Sequence, residues 1–384
     1  MTQRAYNFGA GPAALPLPVL EEIQRDLVSH PELGASVLEI SHRSKWFEGV
    51  LAAAEYNLRT LLRIPSEYHV LFLQGGASLQ FAMVPMNFLP RGRPGAEYVV
   101  TGSWGEKALA EAQKFGRARA AWSGKESGYV RTPSAHEPAY LPGAAYVHYT
   151  SNETIQGVEF FELPAAGDAP LVCDASSDFL SRPMDVERHA LIYAGAQKNA
   201  GPAGVTIVIV RGEMLEGVPE GLPAMLDCRL LAREHSHYNT PPVFAIYVVG
   251  LVARWLVETI GGLEKMEEIN CRKARIVYDV MDASGGFYRG HAEAACRSRM
   301  NATFRLANEE IEKTFVAEAK SRGMIELKGH RSLGGIRVSL YNAVTLEAAE
   351  ALAGFMREFQ QSHSWVYVKQ TSACAFRREP RGVK

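Results

Sequence analysis

YAGAQKNAGPAG, residues 193–204, sets one lysine among small residues directly behind the apolar, β-prone run LIYAG. Proline has no amide donor and glycine is conformationally loose, so Lys198, followed by Asn199-Ala200-Gly201-Pro202, belongs to a turn and not to a helix interior. The turn joins the strand-like runs 191–193 and 205–210. A lysine in such a turn is ordinarily just solvated. Here Ala194, Gly195, Ala196, Ala200, Gly201, Ala203 and Gly204 let the backbone pack closely around it. An amine shielded in that way has a lowered pKa and can bond to a carbonyl carbon.

Composition narrows the classes of function. The 384 residues are 47% hydrophobic, enough for about two domains with a large core. Lys+Arg and Asp+Glu number 41 and 42, a formal net charge of −1, so no overall field draws nucleic acid or an anionic membrane, and any anion site is local. The five cysteines form no C-x-x-C pair, which argues against structural zinc and against a disulfide framework, and fits a reducing cytoplasm. Residues 1–16 do not read as a signal peptide. The longest apolar run, 244–257, contains Arg254 and is shorter than the roughly 20 residues that cross a bilayer, so it reads as a buried helix.

Strand-like runs that end in turns recur along the chain. Gly9 to Ala14 satisfies G-x-G-x-x-A, yet no strand precedes it and Pro12, Pro16 and Pro18 keep the chain extended, so it reads as an irregular segment crossing a cleft and not as a dinucleotide fingerprint. A helix follows over 17–28. SHRSKWF then gathers His42, Arg43 and Lys45, either an anion site or a solvated start of the next helix. HVLFLQ, Gly75-Gly76-Ala77-Ser78 and LQFAMVPMNFL read as strand, turn and helix start, where free amides and a helix dipole suit a phosphate; a plain connection reads equally well. Trp104 follows the strand 97–101, at the C-terminal edge where doubly wound sheets bind ligands. Thr154 follows the strand 145–150 at the same edge, where turn capping is the ordinary alternative.

Asp174 ends the apolar strand PLVCD, and a carboxylate there is costly without a cationic or hydrogen-bonded partner. It precedes Lys198 by one strand unit. A lysine for an aldehyde, a carboxylate for a ring nitrogen, a phosphate cup and a stacking aromatic are together what pyridoxal phosphate requires. Beyond residue 262, helices over 263–281, 309–322 and 346–359 alternate with strands at 302–306 and 336–341, a second, α+β unit. It contains the basic cluster KGHRSLGGIR. From 362 to 384 helical periodicity is lost and the chain reads as a tail.

The order of NFGAGPA, SHRSKWF, LQGGASLQF, TSNETIQG, CDASSDFLSRP, YAGAQKNAGPAG, YNTPP, RSRMN, KGHRSLGGIR and SLYNA resembles the phosphoserine aminotransferases, fold-type I, class-V pyridoxal-phosphate enzymes. The resemblance covers residues 7 to about 361. It implies an α/β fold with a doubly wound, mostly parallel seven-stranded sheet (16–261) and a smaller α+β C-terminal domain (1–15 with 262–361). It also implies a homodimer with shared active sites. Residue by residue, Lys198 resembles the lysine that holds the cofactor, Asp174 the ring-nitrogen partner, Trp104 the stacking aromatic and Thr154 the neighbour of the ring hydroxyl. Ala77, Ser78 and Gln197 resemble the phosphate cup, and Asn239 and Thr240 the residues that a second subunit adds to it. His42, Arg43, His330, Arg331 and Arg337 resemble the substrate-anion set, with Arg337 facing the α-carboxylate. Two positions depart from some members: Ala77-Ser78-Leu79 stands where those carry Gly-Arg-Gly or Gly-Cys-Gly, and Ala10 where those carry serine.

The implied reaction is amino transfer between glutamate and 3-phosphohydroxypyruvate, with 4-phosphohydroxy-L-threonine as a further substrate. A class-V alanine–glyoxylate or serine–pyruvate aminotransferase would need a single carboxylate site, whereas two basic clusters are present. A cysteine desulfurase would place a catalytic cysteine in a mobile loop. A cofactor-binding module without turnover would not need both Lys198 and Asp174.

Overall fold

The computed structural model describes residues 4–89 and 94–375, the side chains of 364–375 excepted. After β1 (Tyr6–Asn7) come α1 (Leu17–Asp26), α2 (Lys45–Leu62), β2 (Tyr68–Leu73), α3 (Gly76–Phe88), β3 (Ala96–Val100), α4 (Ser103–Ala112) and β4 (Ala118–Ser123). The strands β5 (Val147–Thr150), β6 (Asn152–Glu153), β7 (Val158–Glu159), β8 (Leu171–Asp174), β9 (Leu191–Gly195) and β10 (Thr206–Arg211) follow. The central sheet has seven strands in the order β2-β10-β9-β8-β5-β3-β4. Only β10 runs antiparallel to its neighbours. The expected doubly wound, mostly parallel sheet is therefore present.

Its strands are the apolar runs of the sequence, and β3, β5, β8 and β9 are buried at every position, as strands covered on both faces must be. One edge strand escaped the sequence reading. β4, ARAAWS, is only half-buried, so its apolar signal is weak. Thr206 of β10 faces both Leu73 and Gly195, which puts the C-terminal ends of β2 and β9 on one edge. Thr150, Asp174 and Tyr193 pair in register toward that same edge.

The helices cover the sheet. Ser44 caps α2 by accepting from the Phe47 amide (3.2 Å), and the helix buries Phe47, Ala54, Leu58 and Leu62 along one stripe. The run expected to be a buried helix is the helix Val243–Trp255, which buries eight side chains. Its Val249 meets the lysine turn at Gly201, where a Cβ would lie 2.8 Å from Val249 Cγ2; only glycine allows that approach.

A second core gathers around the helices Leu263–Ala283 and Glu309–Ser321 and the strands Asn301–Arg305 and Ile336–Ser339, with Phe304, Phe315 and Phe355 at its centre. Phe8 belongs to this core, because β1 pairs with Met324–Ile325. The last helix, Leu346–Ala375, corrects the expected end near 359. No proline or glycine interrupts residues 355–375, and losing the apolar stripe removes packing without breaking a helix. The remainder of the expected tail, 376–384, lies outside the described residues.

Candidate active site

The turns at the C-terminal edge of the sheet converge on Lys198. Its Nζ donates to Thr154 Oγ1 at 3.0 Å and lies 5.5 Å from the centroid of the Trp104 ring. The irregular segment expected to cross a cleft lies over this turn: the Ala13 amide donates to the Gln197 carbonyl (2.9 Å), and the Tyr341 hydroxyl to the Ala10 carbonyl (3.1 Å). Asn199 is held from the other side, its Oδ1 accepting from the Asn342 amide at 2.9 Å. The lysine is thus gripped by both cores.

Burial lowers the Lys198 pKa, against Asp174 and Glu153, which raise it. Burial likewise raises that of Asp174, opposed first by the charge of Lys198 and then by Ser176, whose amide donates to Asp174 Oδ1 at 3.0 Å. Opposite charges should pull both values the other way; burial prevails because the two groups do not form a contact ion pair. Among the described residues Asp174 makes no ion pair within 4.0 Å. A fully buried carboxylate without a cation and a shielded amine without an anion fit a ligand that brings a ring N–H and an aldehyde.

The turn expected to take a phosphate has a suitable geometry. Gly75 and Gly76 have φ of 91° and 66°, a left-handed pair that leads the chain from β2 into α3. No side chain caps α3, so the amides of its first turn, which contains Ala77 and Ser78, are free for an anion. Gln197 follows the end of β9 on the same edge. Asn239 and Thr240 are exposed, and Gln74, at the end of β2, donates from Nε2 to the Thr240 carbonyl at 3.2 Å.

The substrate-anion residues divide. Arg337 and His330 line one cavity of about 150 Å³ with Ile155 and Thr303. The Arg337 guanidinium is half-buried and has no ion pair or side-chain hydrogen bond among the described residues, and burial lowers its pKa. Arg331 is exposed on the adjoining face, and its charge, with those of Arg337 and Lys107, lowers the His330 pKa beyond what burial does. His42 and Arg43 sit in the turn before α2, as expected, and no hydrogen bond or ion pair joins their side chains to this group within the chain.

Two residues here were not singled out from sequence. Lys107 places its Nζ 4.1 Å from the Trp104 ring centroid, one helical turn after Trp104; that spacing was readable, but the facing was not. Glu153, fully buried, accepts from the amides of Trp104 (3.0 Å) and Gly105 (2.8 Å). A charged residue beside Thr154 was visible in TSNETIQG, without any sign that it is buried.

Known proteins show the same arrangement of chain. A model of the class-V aminotransferases matches residues 5–352. A phosphoserine aminotransferase of Geobacillus kaustophilus (strain HTA426) is 56% identical over 359 residues, covering 94% of this chain and 99% of that protein. The structure of a phosphoserine aminotransferase from Bacillus circulans subsp. alkalophilus superposes with a TM-score of 0.91 at 51% identity, covering 94% and 99% of the two chains. A pyridoxal-phosphate-bound phosphoserine aminotransferase from Trichomonas vaginalis gives 0.86 at 38% identity, covering 92% and 100%. Relatives of that similarity, matched almost end to end, leave one assignment: the chain belongs to the phosphoserine aminotransferase family of class-V, pyridoxal-phosphate-dependent aminotransferases.

Proposed function

We propose that the chain moves an amino group reversibly between L-glutamate and 3-phosphohydroxypyruvate, giving O-phospho-L-serine and 2-oxoglutarate. One observation carries this reading: the shielded Lys198 and buried Asp174 share a site with Arg337, a guanidinium without an anionic partner among the described residues. Pyridoxal phosphate, when bound, supplies an aldehyde carbon that takes up the amino group and a ring that accepts the electron pair left as the substrate's Cα–H bond breaks. Asp174 would hold the proton at the ring nitrogen, a cation that relieves its own burial. Lys198 would release the aldehyde carbon to the substrate amine and take the proton from Cα; its lowered pKa suits a base. Trp104 would stack on the ring, Thr154 would meet the ring hydroxyl, and Ala77, Ser78 and Gln197 would receive the phosphate.

Arg337 would bind the α-carboxylate, and His42, Arg43, His330 and Arg331 the distal anion that both phosphoserine and glutamate carry. The reading includes a cytoplasmic homodimer, in which Asn239 and Thr240 of one chain complete the phosphate site of the other. It also divides the chain into a large lobe, 16–261, and a small lobe, 1–15 with 262–361; the separate core around Phe8 and Phe315 supports that division.

The test is to mix the purified, cofactor-loaded protein with O-phospho-L-serine and 2-oxoglutarate. Glutamate should form and the cofactor's visible absorbance should change on addition of phosphoserine alone, and neither should occur in Lys198→Ala. Faster turnover of alanine with glyoxylate than of phosphoserine with 2-oxoglutarate overturns the substrate assignment. 4-Phosphohydroxy-L-threonine as donor tests the further substrate.

A further inference from the structure

The first amides of α4 are capped from a distant part of the chain. The N-cap residue, Gly102, has no side chain to offer. Instead the Ser103 amide donates to Gln156 Oε1 (3.3 Å), and those of Trp104 and Gly105 donate to the two carboxylate oxygens of Glu153 (3.0 and 2.8 Å). Gln156 Nε2 also donates to Ser103 Oγ at 2.8 Å. A serine or aspartate at the N-cap would satisfy one of these amides locally and at little cost. Burying a glutamate to do it is expensive: desolvation pushes the Glu153 pKa up to about 7, against the two amides that hold it down.

The site makes room for that carboxylate. A Cβ on Gly102 would lie 2.5 Å from Glu153 Cδ and 2.7 Å from Gln156 Oε1. Glu153 is also the neighbour of Thr154, whose hydroxyl accepts from Lys198. Two consecutive residues of one segment therefore fix the amine on one side and the backbone of Trp104 on the other. The 5.5 Å between Lys198 Nζ and the Trp104 ring is set across this link.

We infer that Glu153 is a positioning residue, whose carboxylate clamps the start of α4 and thereby holds the Trp104 ring at the height above Lys198 that the bound cofactor ring requires. The inference rests on the reading of Trp104 as the aromatic that stacks on the cofactor. Packing of Gly105, Ala108 and Ala112 sets which face of α4 is buried. The hydrogen bonds from the adjacent amides of Trp104 and Gly105 to Glu153 fix the first turn itself, and the orientation of that turn aims the indole.

Glu153→Gln keeps the shape but faces one of the two amides with an NH2 group. The readouts are the circular dichroism of the bound cofactor's visible band, the kcat and KM of the holoenzyme, and its melting temperature, with Trp104→Phe beside it. Gly102→Ala provides a second route, since its methyl displaces the carboxylate without removing it. A misplaced ring should lower kcat by about tenfold to a hundredfold with little change in KM, and change the dichroism in the same sense as Trp104→Phe, in both variants. If either variant does not fold, the other carries the test. Wild-type dichroism and kcat in a folded Glu153→Gln or Gly102→Ala, with or without a lowered melting temperature, make Glu153 a structural cap only and overturn the inference. A spectrum unchanged both in Trp104→Phe and in Trp104→Leu, which has no ring to stack, overturns the stacking role of Trp104 and this inference with it. A changed spectrum in Trp104→Phe with an unchanged one in Glu153→Gln overturns the clamp alone.

Discussion

At the scale of single residues, the proposed chemistry rests on two groups that burial drives toward neutrality from opposite sides. Burial lowers the pKa of Lys198 and raises that of Asp174. The first shift favours the neutral amine, the form that acts as nucleophile and base; the second is a demand for a cation that a protonated ring nitrogen would satisfy. In Asp174→Asn the amide cannot stabilise that positive charge, whereas the phosphate amides and Trp104 are untouched. Turnover should fall by a factor on the order of a thousand or more while the cofactor stays bound, read as kcat beside a cofactor titration. Near-normal turnover would remove Asp174 from the reaction. Both residues were legible in sequence because each announces itself locally, a lysine in a turn of small residues and a carboxylate closing an apolar strand.

At the scale of elements, the helix Leu263–Ala283 secures the segment after Ile336–Ser339 through a buried lysine. Lys273 is fully buried and donates to the carbonyls of Leu340 (2.9 Å) and Tyr341 (2.8 Å). Beside it, Asn270 donates to Asn342 Oδ1, and the Asn342 amide to Asn199, so the link continues to the residue after Lys198. Burial pulls the Lys273 pKa from 10.5 down to about 7, and a neutral amine has two N–H groups for these two carbonyls. Between those values the unfolded chain binds a proton that the folded chain lacks, so this group makes stability rise with pH across the window and leaves it flat below. The stability difference between wild type and Lys273→Met should therefore grow by on the order of a few kcal/mol from pH 7 to pH 10 in denaturant melts. Parallel pH curves for the two proteins would show that Lys273 stays charged in the fold. The lysine was not readable as buried, since its helix is amphipathic and charged along most of its length.

At the scale of the whole molecule, the placing of Asn239 and Thr240 bears on whether one chain suffices. They are exposed beside the half-exposed Tyr238 and just before Pro241-Pro242, at the entry to the helix Val243–Trp255. Gln74 ties Thr240 to the chain's own β2, next to the glycine turn, so the loop stands at the rim of the phosphate end. A shared site predicts complementation. Lys198→Ala chains mixed in equal amount with chains substituted at both Asn239 and Thr240, each impaired alone, should recover up to about a quarter of wild-type activity over the whole sample, since about half the dimers are mixed and each of those has one intact site. Subunit exchange shown by mass without any recovery would mean that the loop serves its own subunit.

The sequence alone determined what depends on near neighbours in the chain. Apolar runs dictated the buried strands β2, β3, β5, β8, β9 and β10, proline and glycine dictated the turn of Lys198, and the glycine pair before Ala77 dictated an uncapped helix start. β4, half-buried at the sheet edge, short elements such as the helix Cys228–Arg233, and the continuation of the last helix to Ala375 lacked a local signal strong enough to read. The tertiary structure decided what depends on distances across the chain. It brought Glu153 to amides 49 and 48 residues earlier, and Lys107 over the Trp104 ring. It left the Arg337 guanidinium without an ion pair among the described residues and took Lys198, Asp174 and Lys273 out of water. The physical reason is that strand and turn preferences are properties of a few adjacent residues, whereas desolvation and hydrogen-bond satisfaction exist only once the strand order of the sheet has fixed which distant segments share an edge.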